Sequence, residues 1–415
     1  NAHTIISAMD TLLITGHKEL YQKARDYVLA NLSVTDLNQN SIDDLYAALV
    51  SVYTLAHDKE ILKKAADFAD QYQTRVSRKK GPKLDLKLTP KLLFLATGPL
   101  FFKTDYTSWT NRRLAFRYLT DRTKRTRYWD KIAPLEQYLA TFRADDLFRR
   151  TGGQALPAKC KSPFQKPSKP KKSNPFPKTS VKTYLQAPGR RGADQILTMV
   201  EEALAGMEAT GQLGWTPSRR LLFIKNPDPP TLPDQNGSQI HSQLQYCSYA
   251  TLFALRSAQA SDPTVKSRYL NLATGLTETC HKASNSSRTW LPYENFTILP
   301  GEGERLIGRG SYDLGPTVAE TYFTMYRLTG DYRYRNYAWD LASHLDHFAA
   351  GGGSGVHNAQ WGYATVGDVN RLTPPLGNRQ PPHLFATLKF LFLTFSKVDY
   401  IPLEQWVFTA SGHPL

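Results

Sequence analysis

The sequence contains little cysteine and lacks a long apolar run. Its 415 residues include three cysteines and four methionines. Three thiols allow one disulfide with one cysteine left over, and their positions do not show the paired spacing of a zinc site. No stretch of about 18 uncharged apolar residues occurs, so no transmembrane helix is predicted within this sequence.

No signal-peptide pattern is visible in these residues either. The chain opens with Asn1 inside a segment that is patterned like folded structure, so we expect any targeting signal to lie outside this sequence. Membrane association is then expected only through a segment outside this chain. Four Asn-X-Ser/Thr sequons favour a secretory compartment, either the lumen of the endoplasmic reticulum or Golgi, or secretion. They begin at Asn31, Asn236, Asn285 and Asn295.

Acidic residues are scarce beside basic ones. The chain has 36 Asp and Glu against 52 Lys and Arg, a formal net charge of +16. Much of the excess lies in three runs, at residues 78–83, 112–131 and 159–182. No helix-turn-helix signature, zinc spacing or RNA-binding aromatic motif accompanies them, which favours a solvated surface and predicts no specific nucleic-acid partner. A lysine-rich arm that binds nucleic acid or acidic membranes is the alternative.

The third run belongs to a segment rich in Lys, Pro and Ser at about residues 159–183. It shows neither a helical nor a strand period, so it is predicted to be a mobile loop. Cys160 lies in this loop and is expected to be free.

Elsewhere the apolar pattern is helical. Hydrophobic residues make up 41% of the chain, enough for a sizeable core. In residues 42–57, Leu45, Leu49 and Val52 fall on one stripe. The best strand candidate is residues 220–224. Helices are predicted at residues 18–31, 42–57, 59–73, 108–123, 128–142, 194–210, 243–260, 263–283, 316–329, 332–348 and 382–395.

Several predicted helices form pairs joined by short charged turns. Residues 53–64, 118–128 and 326–337 share this plan, in which an aromatic-aliphatic helix end leads through a turn into a new helix. Recurring helical hairpins favour a toroid or solenoid of helix pairs. An irregular α-helical domain is the alternative.

Four blocks carry a resemblance to a known family. They are residues 4–12 (TIISAMDTL), 314–331 (LGPTVAETYFTMYRLTGD), 387–393 (TLKFLFL) and 407–415 (VFTASGHPL). In this order they resemble conserved segments of glycoside hydrolase family 47, the class I α-1,2-mannosidases. The resemblance implies an all-α (α/α)7 barrel, a single domain over residues 1–415 and a monomer. It also implies a calcium-dependent inverting mannosidase that acts on high-mannose N-glycans of glycoproteins.

The resemblance also implies a disulfide. Cys247 and Cys280 stand in contexts where many family members have a bonded cysteine pair. Two unpaired buried thiols are the alternative.

Inverting glycosidases use two carboxyl groups about 6.5–9.5 Å apart, one as the acid and one as the base that activates water. Alignment of the family's motifs to this chain replaces most of these carboxylates. An amide cannot serve as the acid, and a threonine hydroxyl cannot serve as the base. The sequence therefore predicts weak or no catalysis. The replaced positions are Asn40, Ala115, Thr198, Thr317, Gln380 and Ala386.

Two carboxylates of the family's motifs survive as catalytic candidates. Asp194 retains the acid of one motif, with helix N-capping as the alternative, and Glu320 could contact sugar, with a helix-surface position as the alternative. An active mannosidase that uses Asp194 and Glu320, with Asp43 or Asp44 replacing a lost acid, is the competing hypothesis.

The resemblance assigns further ligand contacts. Asp10, Arg379 and Gln380 are the predicted substrate-binding residues. Calcium needs several oxygen ligands, and Ala410 stands where the family has the threonine that binds the ion through its hydroxyl and carbonyl. A shift of one residue would make Thr409 the metal ligand.

Three tryptophans could stack on sugars, although packing in the core or rim is the default interpretation. They are Trp215, Trp290 and Trp361. The main functional hypothesis is a catalytically eroded relative that binds high-mannose glycans or serves as a scaffold in the secretory pathway.

Overall fold

The computed structural model describes most of the chain as two compact units. The first comprises residues 1–203 and 407–415, and the second comprises residues 204–406. The single-domain organisation stays a prediction. The described residues are 2–33, 42–78, 106–130, 181–182, 184–186, 193–226, 239–299, 301, 303–350, 362–377, 381 and 383–415.

The first unit is helical. Helix α1, which contains the first of the family-like motifs, was not predicted as a helix. The predicted helices that lie within the described ranges are confirmed to within a few residues. The elements are α1 (Ala2–Ile14), α2 (Lys18–Asn31), α3 (Ile42–Ala56), α4 (Lys59–Arg78), α5 (Tyr106–Thr123), the short α6 (Arg127–Asp130) and α7 (Ala193–Ala209), which the unit boundary divides.

Helix α3 is the centre of this unit. Its predicted apolar stripe is confirmed, since Leu45, Leu49 and Val52 are fully buried. Helices α1, α4 and α5 pack around it. Gly16 (φ +80°) joins α1 to α2, a turn for which glycine carries no steric penalty. These contacts fix the position of α1.

The second unit combines helices with short strands. Two antiparallel sheets occur in its described part, β1–β2 and β3–β4–β5. The elements are β1 (Leu213–Trp215), β2 (Leu222–Ile224), β3 (Ile240–Gln243), a 3₁₀ turn (Leu244–Cys247), α8 (Ser248–Gln259), α9 (Pro263–Asn285), β4 (Asn295–Leu299), β5 (Arg305–Arg309), α10 (Thr317–Thr329), α11 (Tyr332–Ala349) and α12 (Leu384–Phe395).

Some sequence-based boundaries were wrong here. The predicted strand at residues 220–224 begins at Leu222, and the three-stranded sheet was not predicted. Gln243 lies in β3 and not in a helix, because it pairs with Asn295 across the sheet. Strands of three to five residues are too short to show a clear alternating pattern.

The helices of the second unit pack around α8 and α10. Helix α8 contacts α9 and α10, and α10 also contacts α11 and α12. The disulfide between Cys247 and Cys280 is present and joins the start of α8 to α9, with 5.9 Å between the Cα atoms. The disulfide prediction is therefore confirmed.

The lysine-rich segment is described only at one end. Residues 181–182 are helical and buried, and residues 159–180 and 183 lie outside the described residues. The predicted helix at residues 128–142 is described only as far as Asp130. None of the described helices combines the length and the apolar character needed to cross a membrane. Asn40, Cys160, Trp361, Arg379 and Gln380 lie outside the described residues.

Candidate functional site

Asp10 is fully buried on α1. Its Oδ2 atom lies 2.8 Å from Nδ1 of His413 and accepts a hydrogen bond from Ser51 Oγ at 3.1 Å. A carboxylate can only accept, so Nδ1 of His413 carries the proton of this contact. The predicted sugar contact of Asp10 stays a prediction, and the geometry favours a positioning role for its Oδ2 atom.

The C-terminal residues form a tight turn. Leu415 exchanges both backbone hydrogen bonds with Val407, at 3.0 and 3.1 Å. Inside the turn, the amide of Thr409 donates to the carbonyl of His413 at 2.9 Å, and the amide of His413 donates to Thr409 Oγ1 at 3.0 Å. The turn therefore holds the His413 ring in place against Asp10.

Lys182 is the cation of this region. It is only 2% exposed, and its Nζ donates to the carbonyl oxygen of Thr409 at 3.2 Å. The described residues just after it are held to α5, where Gln186 Nε2 donates to the carbonyl of Leu114 at 2.7 Å. Together, Asp10, Ser51, Lys182, Thr409 and His413 form what we call the Asp10 network.

The Asp10 network contains Ser, His and Asp, but hydrogen bonds do not connect them as in a nucleophilic triad. A triad needs the serine hydroxyl on the histidine, which acts as its base. Here Ser51 and His413 both contact the carboxylate of Asp10. The arrangement holds α1, α3 and the C-terminal turn together and does not activate Ser51.

Thr409, the predicted metal ligand, does not fit a calcium ion. Both oxygens of Thr409 accept hydrogen bonds, Ala410 has no side-chain oxygen, and a lysine ammonium already occupies the Thr409 carbonyl. In the part of the chain that the structure describes, no group of three or more His, Cys, Asp or Glu side chains could hold a metal ion. Calcium prefers six to eight oxygen ligands.

Glu320 lies in the first turn of α10, in the second unit. It is 2% exposed, so the alternative that it is a helix-surface residue is wrong. Its amide donates to the carbonyl of Pro316 at 2.8 Å. A buried carboxylate in the family's L-R-P-E-x-x-E-S context is consistent with the predicted ligand contact, which stays a prediction.

The segment before α10 is held in a constrained conformation. Leu314 has φ +59°, which is unusual for a residue with a side chain. Its carbonyl accepts a hydrogen bond from Thr387 Oγ1 on α12 at 2.6 Å, and the hydroxyl of Tyr312 donates to the carbonyl of Gly315 at 3.1 Å. These bonds position the start of α10, which carries Thr317 and Glu320.

The positions where the family has carboxylates differ in their surroundings. Ala115 on α5 and Ala386 on α12 are buried, and their methyl groups offer no proton chemistry. Thr317 is half-buried, and Thr198 on α7 is exposed. Asp194 is the second residue of α7, so it lies inside the helix and not at the N-cap. Its side chain lies outside the described part, and its catalytic role stays a prediction.

Two basic residues of the run at 112–131 were misjudged. Arg113 and Arg117 on α5 are buried, where a solvated surface was expected. Their guanidinium carbons lie 5.8 and 4.8 Å from the ring centroid of Trp129. The spacing of four residues places them on one face of the helix, and this was the only signal in the sequence.

The tryptophans have different environments. Trp215 packs against Gly275 on α9, as expected of core packing. Trp290 is 43% exposed, has φ +56° and stacks on His344 with 5.4 Å between ring centroids.

Lys182 was missed as a functional residue because nothing distinguishes it from the other lysines in its run.

Similar proteins include several mannosidases. The chain is 24% identical over 435 residues to a mannosyl-oligosaccharide 1,2-α-mannosidase of Arabidopsis thaliana. The alignment covers 99% of this chain and 71% of the relative. It is 26% identical over 434 residues to a mannosyl-oligosaccharide α-1,2-mannosidase IA of Spodoptera frugiperda. That alignment covers 99% of this chain and 60% of the relative.

A solved structure matches at the level of the fold. The α-1,2-mannosidase from Trichoderma reesei superposes with a TM-score of 0.73 over 99% of this chain and 89% of that chain, at 17% identity. This match confirms the predicted (α/α)7 fold class. The sequence model of glycosyl hydrolase family 47 matches residues 1–415. The chain therefore belongs to glycosyl hydrolase family 47.

Proposed function

We propose that this chain is a secretory-pathway pseudoenzyme of glycosyl hydrolase family 47 that binds high-mannose N-glycans of glycoproteins and has weak or no α-1,2-mannosidase activity. The observation that carries the proposal is the burial of methyl groups at two of the family's carboxylate positions. Ala115 is fully buried and Ala386 is 5% exposed. Close packing of buried residues disfavours a neighbouring side chain that would place a carboxylate at these positions.

The expected loss of rate is large. Removal of a general acid or base lowers a rate by about 10²–10⁴ for each role, and such losses are not additive. Both roles are affected here, since Asn40 aligns with the family's acid and Thr317 with its proposed base. A hydroxyl at Thr317 can donate and accept hydrogen bonds, so it can contact sugar without serving as the base.

Glu320 supports retained binding. A carboxylate that is 2% exposed costs free energy unless its oxygens are satisfied, so its presence in the core favours a defined role. Sugar hydroxyls donate well to carboxylates, which makes Glu320 the best candidate for a glycan contact in the described part of the second unit.

Binding is tested by titrating the full chain with a high-mannose N-glycan and with the same glycan trimmed of its α-1,2-linked mannoses. We expect the wild type to bind the untrimmed glycan. We expect the Kd for this glycan to rise roughly tenfold in Glu320→Gln, because one charge-assisted hydrogen bond is lost. Glu404→Gln, at an exposed position of the same unit, is the matched control. No binding of the untrimmed glycan would exclude the glycan-binding function.

An active enzyme is the second candidate, and the buried carboxylate of Glu320 is the observation in its favour. In that case Glu320 and Asp194 would carry the chemistry, and both Glu320→Gln and Asp194→Asn would abolish mannose release. The two candidates differ in turnover and not in binding, so the hydrolysis assay separates them.

A further inference from the structure

The ammonium group of Lys182 is buried in a place where a charge is costly. The side chain is 2% exposed, and a lysine in the interior is stable only if oxygen atoms replace its hydration shell. One of these oxygens is the carbonyl of Thr409, at 3.2 Å. A buried cation therefore sits directly on the C-terminal turn.

The oxygens of Thr409 are committed to this arrangement. The carbonyl also accepts the amide of Gly412 at 3.0 Å, and Oγ1 accepts the amide of His413 at 3.0 Å. Each bond closes the turn, so neither oxygen can be turned towards another ligand without opening it. Lys182 therefore contacts an oxygen whose position is fixed by the hydrogen bonds of the turn.

A divalent cation cannot share this carbonyl. Calcium sits about 2.3–2.6 Å from its oxygen ligands. An ion bound to Thr409 in this way would lie within a few ångströms of the Lys182 ammonium, in surroundings that screen charge poorly. Ala410 contributes no side-chain oxygen, and the described residues offer no acidic cluster that would offset the repulsion.

We propose that Lys182 is the built-in cation of the C-terminal turn and that it bridges there in place of a calcium ion. The bridge runs from Lys182 to Thr409, through the turn to His413, and from His413 Nδ1 to Asp10. It connects three segments of the first unit that are far apart in sequence. Folding of this chain is then independent of calcium. The inference does not depend on whether catalysis is retained.

The first test is thermal unfolding of the full chain in excess EGTA and in millimolar CaCl2. A ligand that binds only the folded state raises the Tm by mass action. We expect the same Tm in both solutions. A higher Tm in CaCl2 than in EGTA would overturn the inference, and this comparison needs no variant.

The second test removes the ammonium group. Lys182→Met keeps the length of the side chain, and we expect it to lower the Tm by roughly 2–4 °C in both solutions, since a charged hydrogen bond is lost from the interior. Lys64→Met is the matched control, because Lys64 also donates to a carbonyl of the first unit, that of Leu29 at 3.1 Å, but is only half-buried.

A Tm of Lys182→Met equal to that of the wild type would overturn the bridging role. A calcium-induced rise in Tm that occurs in Lys182→Met and not in the wild type would support it, because the vacated carbonyl could then take a metal ion. If Lys182→Met does not fold, Lys182→Arg, which keeps a donor cation, is expected to fold.

Discussion

Single buried polar residues join parts of this chain that are distant in sequence. Asp10 contacts His413 across 403 residues, and Lys182 contacts Thr409 across 227 residues. Each contact satisfies a polar group in the core, where an unmet donor or acceptor costs free energy. The C-terminal turn is therefore held by polar contacts with the rest of the first unit.

Removal of the Asp10 carboxylate tests this role. We expect Asp10→Ala to lower the free energy of unfolding by about 3–5 kcal/mol, because it leaves the His413 ring and the Ser51 hydroxyl without their acceptor in a buried site. Asp67→Ala removes an exposed carboxylate from α4 in the same unit and is expected to change little. Urea unfolding measures both, and equal values for the two variants would contradict the account.

His281 predicts a pH dependence in the second unit. Burial, together with the nearby Lys282, lowers the pKa of His281 to about 4 from the usual 6.5. Its ring stacks on Tyr337 with centroids 3.5 Å apart. Between pH 6.5 and 4 the unfolded chain therefore binds a proton that the folded chain does not, and stability falls as the pH is lowered through this window.

We expect the wild type to lose up to about 2 kcal/mol more than His281→Gln between pH 7 and pH 5. The slope of the unfolding free energy against pH is the quantity to compare, because the substitution also removes the contact with Tyr322. If the unfolding free energy of His281→Gln depends on pH as steeply as that of the wild type, His281 is not the cause of the pH dependence.

Among the described elements, most helices could be predicted, whereas β2 was the one strand that could. The stripe of Leu45, Leu49 and Val52 defines α3 because one face of the helix is the core of the first unit. Strands β3 to β5 depend on each other for backbone hydrogen bonds, and this pairing cannot be recognised in any one of them. Gln243 was assigned to a helix for this reason.

Close packing between α9 and the β1–β2 hairpin gives an element-scale prediction. A Cβ atom added at Gly275 would lie 2.2 Å from Cη2 of Trp215. We expect Gly275→Ala to destabilise the chain by about 1–3 kcal/mol, since the ring must move within a packed interface. Asn271→Ala changes an exposed position of the same helix and serves as the control. An unchanged free energy of unfolding in Gly275→Ala would mean that the β1–β2 hairpin can move to accommodate the added methyl group without cost.

For the whole molecule, the chain has the family's fold, while the motif alignment predicts that most of the family's carboxylates are replaced. This is physically reasonable, because packing of apolar faces stabilises a helical fold and active-site charges do not. Ala115 and Ala386 fill buried positions with methyl groups and leave α5 and α12 intact. Family membership could thus be predicted from the motifs, whether or not the catalytic carboxylates are retained.

The candidate site could be predicted only in part. The terminal motif contains both Thr409 and His413, but the lysine that contacts Thr409 comes from a run in which every lysine looks alike. The burial of Glu320 also required the structure, because its position in the first turn of α10 allows either a surface or a core location. Contacts between distant segments carry no local pattern.

Release of mannose from a Man-α-1,2-Man disaccharide shows whether this chain lacks the turnover expected of a mannosidase with its fold. The full chain is incubated with the disaccharide in millimolar CaCl2, beside Glu320→Gln and Asp194→Asn. We expect at most a trace of mannose above the buffer blank, in the same amount for all three proteins. Release of mannose by the wild type that is lost in either variant would show that the chain is an active mannosidase.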